Sequence, residues 1–269
     1  MTRTRRSIVP LIAIAVALCA GCASTATAPS AEVRRVLAPT GKLRVGVYQG
    51  SPTSIVGDPA SAEAKGVGFD LGRELARRAG VPFEPVVYPK NADLLAAVKS
   101  GAVDMSFTNA TPARMKDMDF SPPVLQVEQG YLVPRGSAIA EVSDVDRPGI
   151  RVGVSEGSTS EATLSREFKN AALVRTPTLK TAVEMLAAGK LDAFATNKTI
   201  LHEMSDELPG SKVLDGRWGL ENFGIAIPKG RETAMAHVSR FAEDAKAEGL
   251  LARAVERAGL RGTVTSESR

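Results

Sequence analysis

One arrangement occurs twice in this chain and narrows its folding options more than any other feature. A short apolar run rich in β-branched residues, LRVGV at 43–47 and again IRVGV at 150–154, opens a strand. Downstream of each, a helical pattern ends on Gly and is followed by apolar-Asp-apolar, in AAVKSGAVDMSF (96–107) and VEMLAAGKLDAF (183–194). FEPVVY (83–88), VDMSF (103–107), ALVR (172–175) and LDAFA (191–195) complete a set of short buried strands. Helical stripes lie between them: Phe69, Leu71, Leu75 and Ala79 before Gly80, and Ala182, Met185 and Leu186 before Gly189. The alternation predicts an α/β fold in which two units of one plan form two lobes, each a mostly parallel sheet flanked by helices. A single long amphipathic helix is expected over Glu232–Arg257. Ligands bind such sheets at the carboxyl ends of their strands, so the crevice between the lobes is the expected site.

The segment DMSFTNATPARMKDMDFSPP (104–123) supplies that crevice with a cation. Arg114 falls at the start of a short helix just after an apolar strand, where a planar guanidinium and helix-start amides can grip one carboxylate together. In the second unit, Gly157-Ser158-Thr159 opens a helix whose free amides suit an anion. The same residues also read as a plain capping box, Ser158 to Glu161, which needs no ligand.

The N-terminus predicts export. Arg3, Arg5 and Arg6 precede an uninterrupted apolar run, Ile8–Ala20, which is too short to span a bilayer and is followed by Gly21-Cys22. This layout resembles a bacterial lipoprotein signal, with Cys22 acylated as the first mature residue. Cys19 departs from that pattern, which prefers Leu there, and ordinary signal-peptidase cleavage between Ala23 and Ala28 is the alternative. Arg5-Arg6 leaves the twin-arginine route open beside general secretion.

Without its signal the chain keeps 31 of its 34 basic residues against 30 acidic ones, so nucleic acid is not an expected partner. The only two cysteines, Cys19 and Cys22, lie in or beside the signal, which excludes a disulfide framework, a thiolate metal site and a cysteine nucleophile. His202 and His237 stand far apart in sequence, so no metal and no histidine-based catalysis is expected.

With these segments in hand, the chain resembles the type II periplasmic solute-binding proteins of ABC importers, in their amino-acid-binding branch. The residues that carry the resemblance are KLRVGV (42–47), GVGFDLGRELARRAG (66–80), LLAAVKSGAVDMSF (94–107), TPAR (111–114), DFSPP (119–123), VGVSEGSTSE (152–161) and MLAAGKLDAF (185–194). The resemblance implies two lobes joined by two crossing strands, near Gly130–Pro134 and Phe223–Pro228. It divides the chain into a signal (1–21), a tether (22–39), a discontinuous first lobe (40–132 with 225–262) and a second lobe (133–224). It implies a monomeric receptor on the periplasmic face of a bacterial membrane, anchored in the bilayer through acylated Cys22, that captures a small anionic or zwitterionic ligand by lobe closure and delivers it to an inner-membrane ABC permease. No cofactor and no catalytic residue is implied.

Residue by residue, Arg114 matches the arginine that holds the ligand's α-carboxylate, and Ser158 and Thr159 match second-lobe groups that meet it on closure. Thr111, within TPAR, joins the implied site. Three positions depart from the pattern. Asn197 stands where an Asp pairs with the ligand's α-ammonium, so Asn197→Asp is expected to favour amino acids over deaminated analogues. Asn109 stands where a hydroxyl is typical, and the aromatic platform of the first loop is missing, leaving Tyr48 as a substitute. A periplasmic lyase or dehydratase on the same scaffold is the competing class, with Glu156 and Glu221 as its only candidate acids, both expected to be solvated. A sensor module that uses the lobes without transport is a third.

Overall fold

The computed structural model describes residues 29–264. The apolar run 8–20 and Cys22 lie outside the described residues. Part of the expected tether is folded: Ala31–Leu37 is a helix (α1) capped by Ser30, and Leu37 is wholly buried in the first core, so the folded body begins ahead of residue 40.

β1 (Leu43–Tyr48) is followed by a loop of small polar residues, helix α2 (Val67–Ala79) and strand β2 (Phe83–Tyr88), which pairs with β1 in parallel along its full length. Helix α3 (Asn91–Ser100) leads to β3 (Ser106–Asn109), and a parallel bridge from Val45 to Met105 ties β1 to the start of that strand. Each of these helices stops at a left-handed glycine, as the sequence pattern predicts. β4 (Met118–Phe120) precedes the long strand β5 (Leu125–Val133).

The second unit repeats the plan: β6 (Arg151–Ser155), α4 (Thr159–Glu167), β7 (Ala172–Thr176), α5 (Leu179–Ala187), β8 (Ala193–Asn197) and α6 (Lys198–Glu207). β6 pairs in parallel with both β7 and β8. The short β9 (Lys212–Val213) precedes β10 (Gly219–Pro228), whose antiparallel partners are β3, β4 and β5.

The two units are joined by β5 and β10. These strands pair with each other over Leu125–Gln129 and Gly219–Phe223, so the mutual crossing lies a few residues before both expected ranges. Beyond it, Gln129–Leu132 pairs with β8 and Phe223–Ala226 with β3. Each long strand therefore serves one sheet with one end and the connection with the other.

The expected single C-terminal helix is two, α7 (Glu232–Ala247) and α8 (Leu250–Ala258). Gly249, at φ 72°, breaks the helical backbone, a conformation that only glycine adopts at little cost. The break lets α8 turn onto α2, where Leu251, Ala254 and Ala258 join the first core. A strand β11 (Thr263–Val264) then adds to the edge of β5.

The twin sequence pattern has a structural purpose. In the first unit Asp104 accepts the backbone N–H, Nε and Nη2 of Arg44 at 2.7–2.9 Å, and Arg44 Nη2 also donates to Gly101 O. In the second, Asp192 accepts the same three groups of Arg151 at 2.8 Å, and Arg151 Nη2 donates to Gly189 O. The Asp that follows each helix-ending Gly thus locks the first strand of its unit to the third. Arg231 adds a further bond to Asp104 at 2.9 Å, with no counterpart at Asp192 among the described residues.

Candidate functional site between the lobes

Four strands, two from each unit, end at one place. Tyr48, Asn109, Ser155 and Asn197 are the last residues of β1, β3, β6 and β8, and all four line a cavity of about 50 Å³ between the two units, space for roughly four water molecules. Arg114, Ser158, Thr159, Thr108, Thr196 and Glu221 join them in its polar wall, beside the small polar residues Ser51, Thr53, Ser54 and Asn91, with Leu94, Phe107, Ile200 and Phe223 as apolar backing.

Arg114 opens a single 3-10 turn (Arg114–Lys116) rather than an α-helix, so helix-start amides contribute little there. Its Nη1 donates to Thr108 Oγ1 at 2.9 Å and to the Asn109 carbonyl at 3.1 Å, which leaves Nε and Nη2 without a partner among the described residues. Burial pulls the guanidinium's pKa down, while the charge of Glu221 pulls it back up. Thr111 does not reach the cavity. Its Oγ1 accepts the Arg114 N–H at 3.2 Å and so braces the turn, and it lines a wider groove of about 650 Å³ that shares Arg114, Ser158 and Thr159 with the cavity.

Ser158 caps α4: its Oγ accepts the Glu161 N–H at 3.0 Å, while the Glu161 carboxylate accepts the Gly157 N–H at 2.7 Å. The capping function read from the sequence therefore operates, with the acidic residue reaching one residue further out than a standard box. The amides of Thr159 and Ser160 are left without acceptors among the described residues, and they are the part of the helix start that an anion can use.

The two units are closed on each other. Asn109 Nδ2 donates to Thr159 Oγ1 at 3.1 Å, the Tyr48 and Ser155 hydroxyls are hydrogen-bonded at 3.3 Å with either as donor, and Asn91 Nδ2 donates to the Gly157 carbonyl at 3.2 Å. At Gly157, φ is 72° and a Cβ would stand 3.2 Å from that of Ala92, so the approach leaves little room for a side chain. Burial raises the pKa of the Tyr48 phenol, which keeps it a neutral donor or acceptor.

Asn197 is buried and occupied. Its Oδ1 caps α6, accepting Thr199 Oγ1 at 2.7 Å and the Ile200 N–H at 3.2 Å, and its Nδ2 donates to Glu221 Oε2 at 2.9 Å. Glu221 corrects the sequence reading, because it is not solvated. It is 6% exposed, whereas Glu156 is exposed as expected. Its position was legible: alternation along β10 from the buried Phe223 and Ile225 puts Glu221 on the same inward face. Burial raises its pKa, opposed by the charge of Arg114 and the hydrogen bond from Asn197.

With this geometry in place, comparison with known proteins decides the family. The model of the bacterial extracellular solute-binding proteins, family 3, matches residues 43–259. The chain belongs to that family. Among relatives of this family-3 protein, the ABC transporter glutamine-binding protein GlnH of Bacillus subtilis is 25% identical over 199 residues, 71% of each chain. An ancestral arginine-binding protein bound to glutamine has a TM-score of 0.72 at 26% identity, covering 81% of this chain and 97% of its own. An ancestral amino-acid-binding protein described as a precursor of cyclohexadienyl dehydratase has a TM-score of 0.73 at 26% identity, covering 84% and 98%. The family-3 fold is two-lobed, as the duplicated unit predicts. Both histidines are half-buried helix residues away from the cavity, and no cluster of three metal-ligating side chains occurs among the described residues.

Proposed function

We propose that this chain is the membrane-anchored receptor of an ABC importer and that it captures an amino acid by closing its lobes on it. The observation that carries this reading is the convergence of Arg114, from one lobe, and the α4 start at Ser158 and Thr159, from the other, on one cavity. An α-carboxylate there takes the free Nε and Nη2 of Arg114 and completes the α4 start. Because both walls contact the ligand only when closed, binding shifts the population toward the closed form, the form a permease can recognise. The lobes are taken as 40–132 with 225–262, to which α1 adds from the preceding segment, and 133–224. The names of the relatives support an amino acid as cargo, and the receptor binds its ligand without altering it.

The test is a thermal-shift screen of the twenty amino acids, with native mass spectrometry of freshly purified protein. A ligand at a thousand times its Kd adds about 4 kcal/mol to the folded state, and at roughly 2–4 °C per kcal/mol for a chain of this size the midpoint rises by about 8–16 °C. The reading is wrong if no amino acid moves the midpoint and none is carried through purification. NMR of the incubated amino acid is expected to show it unchanged; a new product would point to the lyase alternative.

Anchoring rests on Cys22 with two acyl chains, enough for stable attachment. The Cys22→Ser protein is expected to move from the membrane fraction to the soluble periplasm while binding the same amino acid. Unchanged fractionation would mean that the signal is cut by ordinary signal peptidase or persists as an anchor.

A further inference from the structure

We infer that Glu221, on the connecting strand β10, is the anionic anchor for a ligand's α-ammonium, and that the site therefore selects α-amino acids with uncharged side chains. This rests on the reading of the cavity as an amino-acid site and names its charge selectivity.

Three observations carry the inference. The first is that Glu221 is a buried carboxylate without an ion-pair partner. Its Oε2 accepts Asn197 Nδ2 at 2.9 Å and its Oε1 accepts Gln129 Nε2 at 3.3 Å, the side chains of Thr159 and Asn109 also hydrogen-bond the carboxylate, and it forms no salt bridge among the described residues. A buried carboxylate in this state is costly until a cation reaches it.

The second is that Asn197, at the position where the family pattern has an Asp, cannot take the ammonium. Both lone pairs of its Oδ1 are engaged by Thr199 and Ile200, and its remaining group is a donor. A donor suits a neighbouring carboxylate, so Asn197 positions Glu221. The charge expected at the end of β8 has moved to β10, and the neutral amide at 197 is what allows it to sit there. A carboxylate at 197 would face Glu221 at hydrogen-bond distance and force one of the two to protonate. The Asn197→Asp substitution is thus expected to weaken binding of amino acids, the reverse of the expectation from sequence.

The third is the charge of the whole cavity. Among the described residues, Tyr48, Arg114 and Glu221 are the only ionisable groups that line it. One cation and one anion at separate positions match the two poles of a zwitterion. A carboxylic acid without an amine leaves Glu221 unpaired. An amino acid with a charged side chain brings a third charge that nothing in the lining answers. The hydroxyls of Ser51, Thr53, Ser54 and Ser155 and the cavity's small volume favour a short or polar side chain.

The experiment is calorimetry on the wild-type protein, Glu221→Gln and Glu221→Ala. The probe is whichever of the twenty amino acids gives the largest thermal shift, beside the same molecule without its amine (3-hydroxypropanoate for L-serine, glutaramate for L-glutamine). Wild type is expected to bind a neutral amino acid at least about a hundredfold tighter than the deaminated acid. In both variants the amino acid loses roughly thirtyfold or more while the deaminated acid is held no worse, so the ratio collapses. These sizes are those of a buried charge pair broken on one side.

The pH profile separates this role from mere packing. Glu221 must be ionised to bind, and its pKa is raised, so wild-type affinity falls as pH drops through a value above the ordinary glutamate range, whereas the Glu221→Gln variant is flat across it. Circular dichroism confirms that each variant is folded. A ratio retained in both folded variants, or a wild-type preference for arginine, lysine, aspartate or glutamate, overturns the assignment of Glu221 alone. Wild type that binds no amino acid overturns the receptor reading itself, and this inference with it.

Discussion

Arg114→Ala is expected to lower affinity for the bound amino acid by at least about thirtyfold, or roughly 2 kcal/mol, with little change in the stability of the unliganded protein. Hydrogen bonds to a charged group contribute about 1.5–3 kcal/mol each, and the free Nε and Nη2 offer two of them to a carboxylate. Removal also strips Glu221 of the one cation that lines the cavity among the described residues, which raises that carboxyl's pKa further and weakens the ammonium's partner at the same time. The fold depends on Arg114 much less. Within the chain its side chain bonds only Thr108 Oγ1 and the Asn109 carbonyl, from an exposed turn. Arg114→Lys is expected to lose most of the same affinity, because an ammonium cannot reproduce the planar fork. Calorimetry beside thermal melting checks both halves. An affinity within threefold of wild type would remove Arg114 from the site.

The second large effect concerns stability, and the duplicated unit makes it a controlled comparison. Asp104→Ala is expected to destabilise the protein by about 3–5 kcal/mol, the cost of breaking a buried ion pair from one side. The carboxylate is wholly buried and gathers four donors, three from Arg44 and one from Arg231. Its loss strands two guanidiniums and a backbone amide. Asp192→Ala removes the same three bonds from Arg151, yet is expected to cost only about 1–2 kcal/mol. The reason is exposure: the side chains of Arg151 and Asp192 are 43% and 31% accessible, so water replaces much of what is lost. Urea midpoints at unchanged slope measure both. Equal losses would mean that burial and Arg231 add nothing to the first clamp.

The site was partly legible before the fold was known. Tyr48, Asn109, Arg114, Ser158, Thr159 and Asn197 all line one cavity, and each is marked locally, as a strand end, a cap or a cation just after a strand. Thr111 shares those local signs but braces the turn instead, because sequence spacing does not say which way a short turn faces. Burial was harder to read. Glu221 looked solvated because a lone carboxylate on a strand usually is. Asn197 looked like an ammonium acceptor because nothing in its neighbours shows that Thr199 and Ile200 have already taken its oxygen. The long terminal helix was read through Gly249, since a glycine inside a helical pattern signals cost but not where a break is used.

The amino-acid order by itself determined the duplicated α/β plan, the Gly-then-Asp device that closes each unit, and a cation and a helix start suited to one anion. All of these follow from periodicity and short-range spacing. Only the tertiary structure decided the polarity of the pocket, because that depends on which groups from β5, β8 and β10 are shut away from water together. A carboxylate's meaning is set by its solvent and its neighbours, and those are brought to Glu221 from residues 24 and 92 positions away.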